Sequence, residues 1–156
     1  SINIIMKVIL LENVRNIGAI GEIIDVKRGF ARNFLISQKK ALFASKANIK
    51  EVEKIKNELD KNDLDRKNNA KSIDEKIRDK KYTIEKLSTE NKELYGSVKP
   101  TEISKIIKDM DGVEINPSLI QPVKEIKSVG IYKVFLNLHS EIQSNIQIEV
   151  VPQEDK

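Results

Sequence analysis

The sequence predicts an α+β protein in which two small domains of mixed α and β structure are joined by a long exposed helix. Three observations carry that expectation. Residues 46–81 contain neither glycine nor proline, are dominated by charges of both signs, and repeat apolar residues at helical spacing. The segment before them reads as a glycine-punctuated hairpin, and the segment after them as alternating strands around one short amphipathic helix. With 156 residues, of which 39% are apolar and only 4% aromatic, the chain cannot fill one large core but can fill two small ones. The expected domains are residues 6–45 and 82–151, with the helix over 46–81 and tails at 1–5 and 152–156.

Taken in order, Met6 to Leu11 (MKVILL) and Glu22 to Val26 (EIIDV) are apolar runs with β-branched residues, separated by the loop Glu12 to Gly21. They predict a hairpin with a mobile loop. Gly18 and Gly21 would allow positive φ there and bring backbone N–H groups close to a phosphate, although glycines can also simply turn the chain. Gly29 to Leu35 alternates too little for a strand. A short helix there gathers Phe30 with Phe34 on one face and Arg28 with Arg32 on another, by i, i+4 spacing. Either phenylalanine is a candidate to stack on an unpaired base, and at least one is expected in the core. Asn33 either caps or contacts RNA.

Ser45 is placed to N-cap the long helix, whose stripe Ile49, Val52, Ile55, Leu59 thins to Leu64, Ala70, Ile73 and Ile77. At 1.5 Å per residue, about 35 residues span about 50 Å. A helix polar on nearly all faces bridges domains through solvent or frays, and bridging is the reading adopted. A coiled-coil dimer competes, but no a/d heptad is sustained past the first half, so a monomer is expected. In the last domain, Tyr82 to Leu87 and Leu94 to Val98 read as strands. Thr101 and Glu102 start a helix with Ile103, Ile106, Ile107 and Met110 inward, stopped at Asp111-Gly112. After the punctuated segment Pro117 to Pro122, two strands (IYKVFLNL and IQIEVV) are joined around His139 to Asn145.

Charge is distributed unevenly. Residues 1–45 hold seven cations (Lys7, Arg15, Lys27, Arg28, Arg32, Lys39, Lys40) against three anions (Glu12, Glu22, Asp25), a net of +4. That equals the net charge of the whole chain, so the remainder is neutral. Residues 82–156 are slightly acidic, nine cations against twelve anions. The first segment therefore carries the electrostatic footprint of a phosphate backbone. The last domain suits it less, although Lys92, Lys99 and Lys105 offer a local patch, and protein is an equal candidate partner there.

The positions Gly18, Gly21, Val26, Gly29, Phe30, Asn33, Phe34, Leu35, Ala41 and Ser45 follow nearly every fixed position of a known signature. The chain resembles ribosomal protein nine of the bacterial large subunit. LYGSVKPTEI and IKSVGIYKVFLNLHSEI are similar to segments of that family's second domain, so the resemblance covers Met6 to Val151. It implies two globular domains on an extended helix. The first would anchor on large-subunit 23S rRNA near the base of the protuberance that carries the tRNA-exit stalk. The second would reach outward to a protein or a neighbouring ribosome. The implied role is non-enzymatic, in assembly, translation and reading-frame maintenance, in the cytoplasm and on the ribosome. The rRNA-binding residues expected are Arg15, Gly18, Gly21, Lys27, Arg28, Gly29, Phe30, Arg32, Asn33, Phe34, Lys39 and Lys40. The alternative is a protein-interaction spacer with an incidental basic face.

Two departures bear on that surface. Lys39 stands where the signature usually has glycine, which questions a tight turn there while adding a charge. The hairpin loop holds only one cation, Arg15, so its contacts would rest on backbone N–H groups, with electrostatics shifted to Lys27, Arg28, Arg32, Lys39 and Lys40. The family pattern begins at Met6, and the five residues before it fit an upstream start assignment and are given no function.

Other chemistries find little support. Without cysteine there are no disulfides, thiolate zinc sites or cysteine nucleophiles. His139 has no second histidine to share a metal and reads as a structural hydrogen-bonding residue. Gly18-Ala-Ile-Gly21 lacks the Gly-Lys-Ser/Thr of a P-loop. No cofactor is expected. No apolar run approaches the roughly twenty residues of a membrane span, and Ser1 to Ile5 is too short for a signal-peptide core, so no membrane partner is expected.

Overall fold

A computed structural model describes residues 4–153, as an α/β chain of two compact units connected by one long helix. In the first unit, β1 (Ile5–Leu10) is the centre of an antiparallel sheet in the order β2 (Ile23–Lys27), β1, β3 (Ala41–Phe43). Alternation along β1 sends Val8 and Leu10 to one face and Ile9 to the other, and all three are buried. Val8 and Leu10 form a core with Ala31, Leu35 and Ala41, supplied by the helical segment that runs as α1 (Arg28–Phe30) into a π-helical turn (Ala31–Ile36). Residues 4 and 5 are not tail. Ile5 pairs with Lys27 in the sheet, and the Ile4 carbonyl accepts from the Arg28 N–H that opens the helical segment. Residues 1–3 of the expected N-terminal tail and 154–156 of the C-terminal one lie outside the described residues.

The turn at Lys39 forms despite the missing glycine. Lys40 N–H donates to the Leu35 carbonyl (2.7 Å) and Lys39 N–H to that of Ile36 (3.0 Å), the paired bonds of a Schellman cap, with Lys39 at φ +59°. A side chain there is strained by roughly 1–2 kcal/mol, so Lys39→Gly is expected to stabilise the first unit by about 1 kcal/mol in urea unfolding.

The loop between β1 and β2 is braced and not the mobile element the sequence predicts. Val14 and Gly18 exchange backbone hydrogen bonds. Asn13 Oδ1 accepts from Ile20 N–H, and Asn13 Nδ2 donates to Oδ2 of Asp63, which is buried on the long helix; both bonds are 2.9 Å. Gly21 does need its positive φ, +83°. Gly18 does not; a Cβ there would stand 2.9 Å from Leu10 Cδ1 and 2.8 Å from Glu22 Oε2, so those side-chain ends would have to shift.

The connecting helix α2 (Lys46–Ile77) is capped as expected, the Ser45 hydroxyl accepting from Asn48 N–H at 3.1 Å, and it runs unbroken through Lys67–Asn69. It ends four residues earlier than the expected Lys81. Asp79 takes φ +62° and donates its N–H to the Asn145 carbonyl, while the Arg78 guanidinium bonds the Gln143 carbonyl, and Lys81 is already in a strand.

The second unit is a sheet in the order β4 (Lys81–Lys86), β9 (Ile142–Pro152), β8 (Gly130–His139), β6 (Ile120–Pro122), with β4 parallel to β9 and the other pairs antiparallel. A separate pair joins β5 (Glu93–Val98) to β7 (Ile126–Ser128). The helix α3 (Pro100–Asp111) contributes Ile103 and Ile107 to a core with Ile77, Ile126, Leu136, Ile146 and Ile148. Four expectations are corrected here. β8 and β9 are joined by Ser140 and Glu141 alone, because Gln143, Ser144 and Asn145 pair with Asn137, Leu136 and Phe135 inside the ladder. The C-terminal domain runs past Val151, since Pro152 pairs with Lys86 and Gln153 N–H bonds its carbonyl. Thr101 does not cap α3: Lys99 is the N-cap, with Pro100 at the first helical position and Glu102 Oε2 accepting from Lys99 N–H at 2.8 Å. Met110 is 68% exposed and faces outward.

Two carboxylates pin α3 to β4. Asp111 is held below the usual carboxylate range by a 2.8 Å hydrogen bond from Lys80 and by another from the Tyr82 hydroxyl. Burial pushes Glu102 up, but the Lys86 ammonium and Lys99 N–H outweigh it and its pKa is lowered. Carboxyls depressed in the folded state stabilise it above their unfolded pKa values and lose that contribution as pH falls through the folded ones. The second unit is therefore expected to weaken below about pH 4, and Asp111→Asn to flatten that acid limb in circular-dichroism unfolding curves.

Candidate nucleic-acid interface

The helical segment after β2 is built so that one side serves the core and the other is left open. Ala31 and Leu35 are fully buried, while Lys27, Arg28, Gly29, Phe30, Arg32 and Asn33 are exposed, as is Lys39 at the cap beyond. The expected i, i+4 pairing holds: the Phe30 and Phe34 rings stack with centroids 5.2 Å apart at 23°. Phe34 is the inner ring, packed against the core, and Phe30 the outer one, 39% exposed.

Ion pairs sort the cations. Lys7 faces its cross-strand partner Asp25 at 3.3 Å, and Lys40 is half-buried against Glu12 at 2.9 Å with its ammonium 5.6 Å from the Phe34 ring centroid. Setting those pairs aside, residues 4–45 hold Arg15, Lys27, Arg28, Arg32 and Lys39 against Glu22 alone. The side chains of Lys27, Arg28, Arg32 and Lys39 make no ion pair or hydrogen bond among the described residues. Four cations within thirteen residues, flanking an exposed aromatic, give a surface on which phosphates would replace solvent counterions.

Gly29 adds a second feature. Among the described residues its missing Cβ would have no atom within 4 Å, and its φ is not left-handed, so neither their packing nor backbone geometry calls for glycine in this helical segment. What the glycine leaves is bare backbone beside Arg28 and Phe30, open to close approach from outside.

The expected residues thus divide. Lys27, Arg28, Gly29, Phe30, Arg32, Asn33 and Lys39 are all exposed around the open side of the segment, with Phe30 on one flank and Arg28 with Arg32 on the other, since residues two apart on a helix do not face each other. Asn33 does not cap; its side chain is exposed and makes no hydrogen bond among the described residues. Arg15 lies exposed on the loop. Phe34 and Lys40 support the face from beneath. Gly18 and Gly21 cannot offer N–H groups to a phosphate, since these donate to the carbonyls of Val14 (3.1 Å) and Leu10 (2.9 Å). The sequence reading missed Glu12, Asn13 and Asp63, which fix Lys40 and the loop. Asn13 and Asp63 stand fifty positions apart, and no local pattern links them.

Among the described residues, no cluster of three or more His, Asp or Glu side chains could hold a metal ion, and no helix is long and apolar enough to cross a membrane. His139 Nδ1 accepts from Glu141 N–H at 3.1 Å, a structural bond across the β8–β9 turn.

Comparison with known proteins accords with this division of the chain. Residues 6–52 match the family model for ribosomal protein L9, N-terminal domain, and residues 68–152 that for ribosomal protein L9, C-terminal domain. The chain is 68% identical over 146 residues to the large ribosomal subunit protein bL9 of Pelagibacter ubique, covering 94% of this chain and 96% of the relative. It is 39% identical over 150 residues to the protein of the same name from Francisella philomiragia, covering 96% and 99%. A Francisella tularensis counterpart is 37% identical over the same span.

Proposed function

We infer, starting from the fact that the chain belongs to the family of ribosomal protein L9, that it is a structural protein of the large ribosomal subunit. It anchors on 23S rRNA through the face formed by residues 27–39. The observation that carries this reading is the group Lys27, Arg28, Arg32 and Lys39 around Gly29 and Phe30, exposed and without ion-pair or hydrogen-bond partners among the described residues. Cations left unneutralised beside bare backbone suit a polyanion that approaches closely. The relatives are named as ribosomal proteins, which places this chain with the ribosome in the cytoplasm and makes its role non-enzymatic.

On this reading α2 is a spacer that carries the second unit away from the anchor, where it contacts a protein or a neighbouring ribosome and supports reading-frame maintenance. Removing two turns of α2 should leave RNA affinity intact while impairing the distal function; loss of affinity would mean that both units bind together. The anchoring itself is tested by the affinity of the full-length chain for 23S rRNA fragments, with tRNA as control, at two salt concentrations. Selective binding that weakens as salt rises is expected. Equal or absent binding, or ribosome association that survives nuclease treatment, would favour a protein-interaction spacer.

A further inference from the structure

We propose that Phe30 is a stacking platform for one unpaired RNA base, so that the anchor reads a looped or bulged RNA element and not only the backbone of a duplex. The proposal rests on the rRNA-anchoring reading and adds to it the class of RNA recognised. Phe30 is 39% exposed, yet its ring is already fixed, stacked on Phe34 at 5.2 Å. Phe34 is itself held by the core, and the Lys40 ammonium, paired with Glu12, lies over its ring. The outer ring therefore forgoes little conformational freedom when a flat partner covers it. On the chain beside it, Gly29 has none of the described residues within 4 Å of the place where a Cβ would be, which leaves room for the sugar and phosphate of a splayed nucleotide. Arg28 and Arg32, two residues to either side in sequence but on the other flank of the helical segment, are exposed to meet phosphates farther along the same strand. Paired bases in an A-form duplex present no free ring face to a side chain at the groove, so the platform has use only where a base has left its stack.

The chain contains no tryptophan, which makes the test direct. Full-length wild type, Phe30→Trp and Phe30→Leu are titrated with a 23S rRNA transcript and with a fully paired RNA duplex. Phe30→Trp should bind the transcript about as tightly as wild type, with its single indole emission quenched. Phe30→Leu should bind it roughly 5- to 150-fold more weakly, the stacking free energy of one base written as an affinity ratio, with the salt slope unchanged because no charge is lost. Wild-type affinity in Phe30→Leu, an unquenched indole in the bound Phe30→Trp protein, or an equal loss on the paired duplex would each overturn the platform while leaving the anchor standing. Wild type binding the transcript no better than tRNA would overturn both.

Discussion

Replacing Arg28 and Arg32 together by alanine is expected to weaken binding to 23S rRNA and to flatten its salt dependence without unfolding the protein. Both side chains are exposed and neither is bonded within the described structure, so truncating them breaks no internal contact and should leave stability within about 0.5 kcal/mol of wild type. Alanine also costs no helix propensity at these positions. If each arginine holds one phosphate, the slope of log affinity against log salt falls by about 0.7–0.9 per contact. For two contacts, the affinity lost between 50 and 200 mM salt should then shrink by about tenfold. Filter binding over a salt series, with circular dichroism on the same preparations, reads both quantities. An unchanged slope in a folded double variant would remove this face from the interface.

Leu35→Ala acts at the other side of the same segment and should have the opposite pattern. Leu35 is fully buried with Val8, Leu10, Ala31 and Ala41, at the centre of a small core. Truncating a buried leucine typically costs about 2–5 kcal/mol, which is comparable with the whole stability of a small domain. The first unit should therefore be largely unfolded in this variant, and RNA binding lost with it at every salt concentration. The second unit has its own core, built from Ile77, Ile103, Ile107, Leu136 and Ile148, and should keep its unfolding transition. A single shared loss of both transitions would show that the two cores fold as one.

These two variants also mark how far the residues alone carry the account. Periodicity groups Phe30 with Phe34 and Arg28 with Arg32 at one helical turn, and a π-helical turn alters that spacing too little to hide it. The fully buried pair, however, is Ala31 and Leu35, and Phe30 stays 39% exposed, so the buried side is only partly legible. The same logic reveals β1, β8, β9 and α2, where alternation or helical spacing runs for many residues, and the Ser45 cap, which is a local bond. What stays hidden depends on partners far along the chain or on backbone angles that side chains do not announce. The tie from Asn13 to Asp63 turns an expected mobile loop into a braced one. A lysine at φ +59° and an aspartate at φ +62° make turns that composition assigns to glycine. Gly18 reads as a flexible joint in sequence, but in the fold its φ is not left-handed and a Cβ would crowd the ends of the Leu10 and Glu22 side chains. Lys40 counts as one more cation in sequence, but Glu12 neutralises it. The three-residue strands β6 and β7 exist only because β8 and β5 offer them an edge.

The central claim is that the open face at residues 27–39 meets large-subunit RNA. A photo-crosslinking amino acid placed at Asn33, whose side chain is exposed and makes no hydrogen bond among the described residues, tests it in assembled ribosomes, with Leu64 as comparator because it is 56% exposed in the middle of α2. Crosslinks from position 33 to 23S rRNA, with none or far fewer from position 64, are the predicted result. Crosslinks from position 33 only to protein, or RNA crosslinks from position 64 alone, would contradict it.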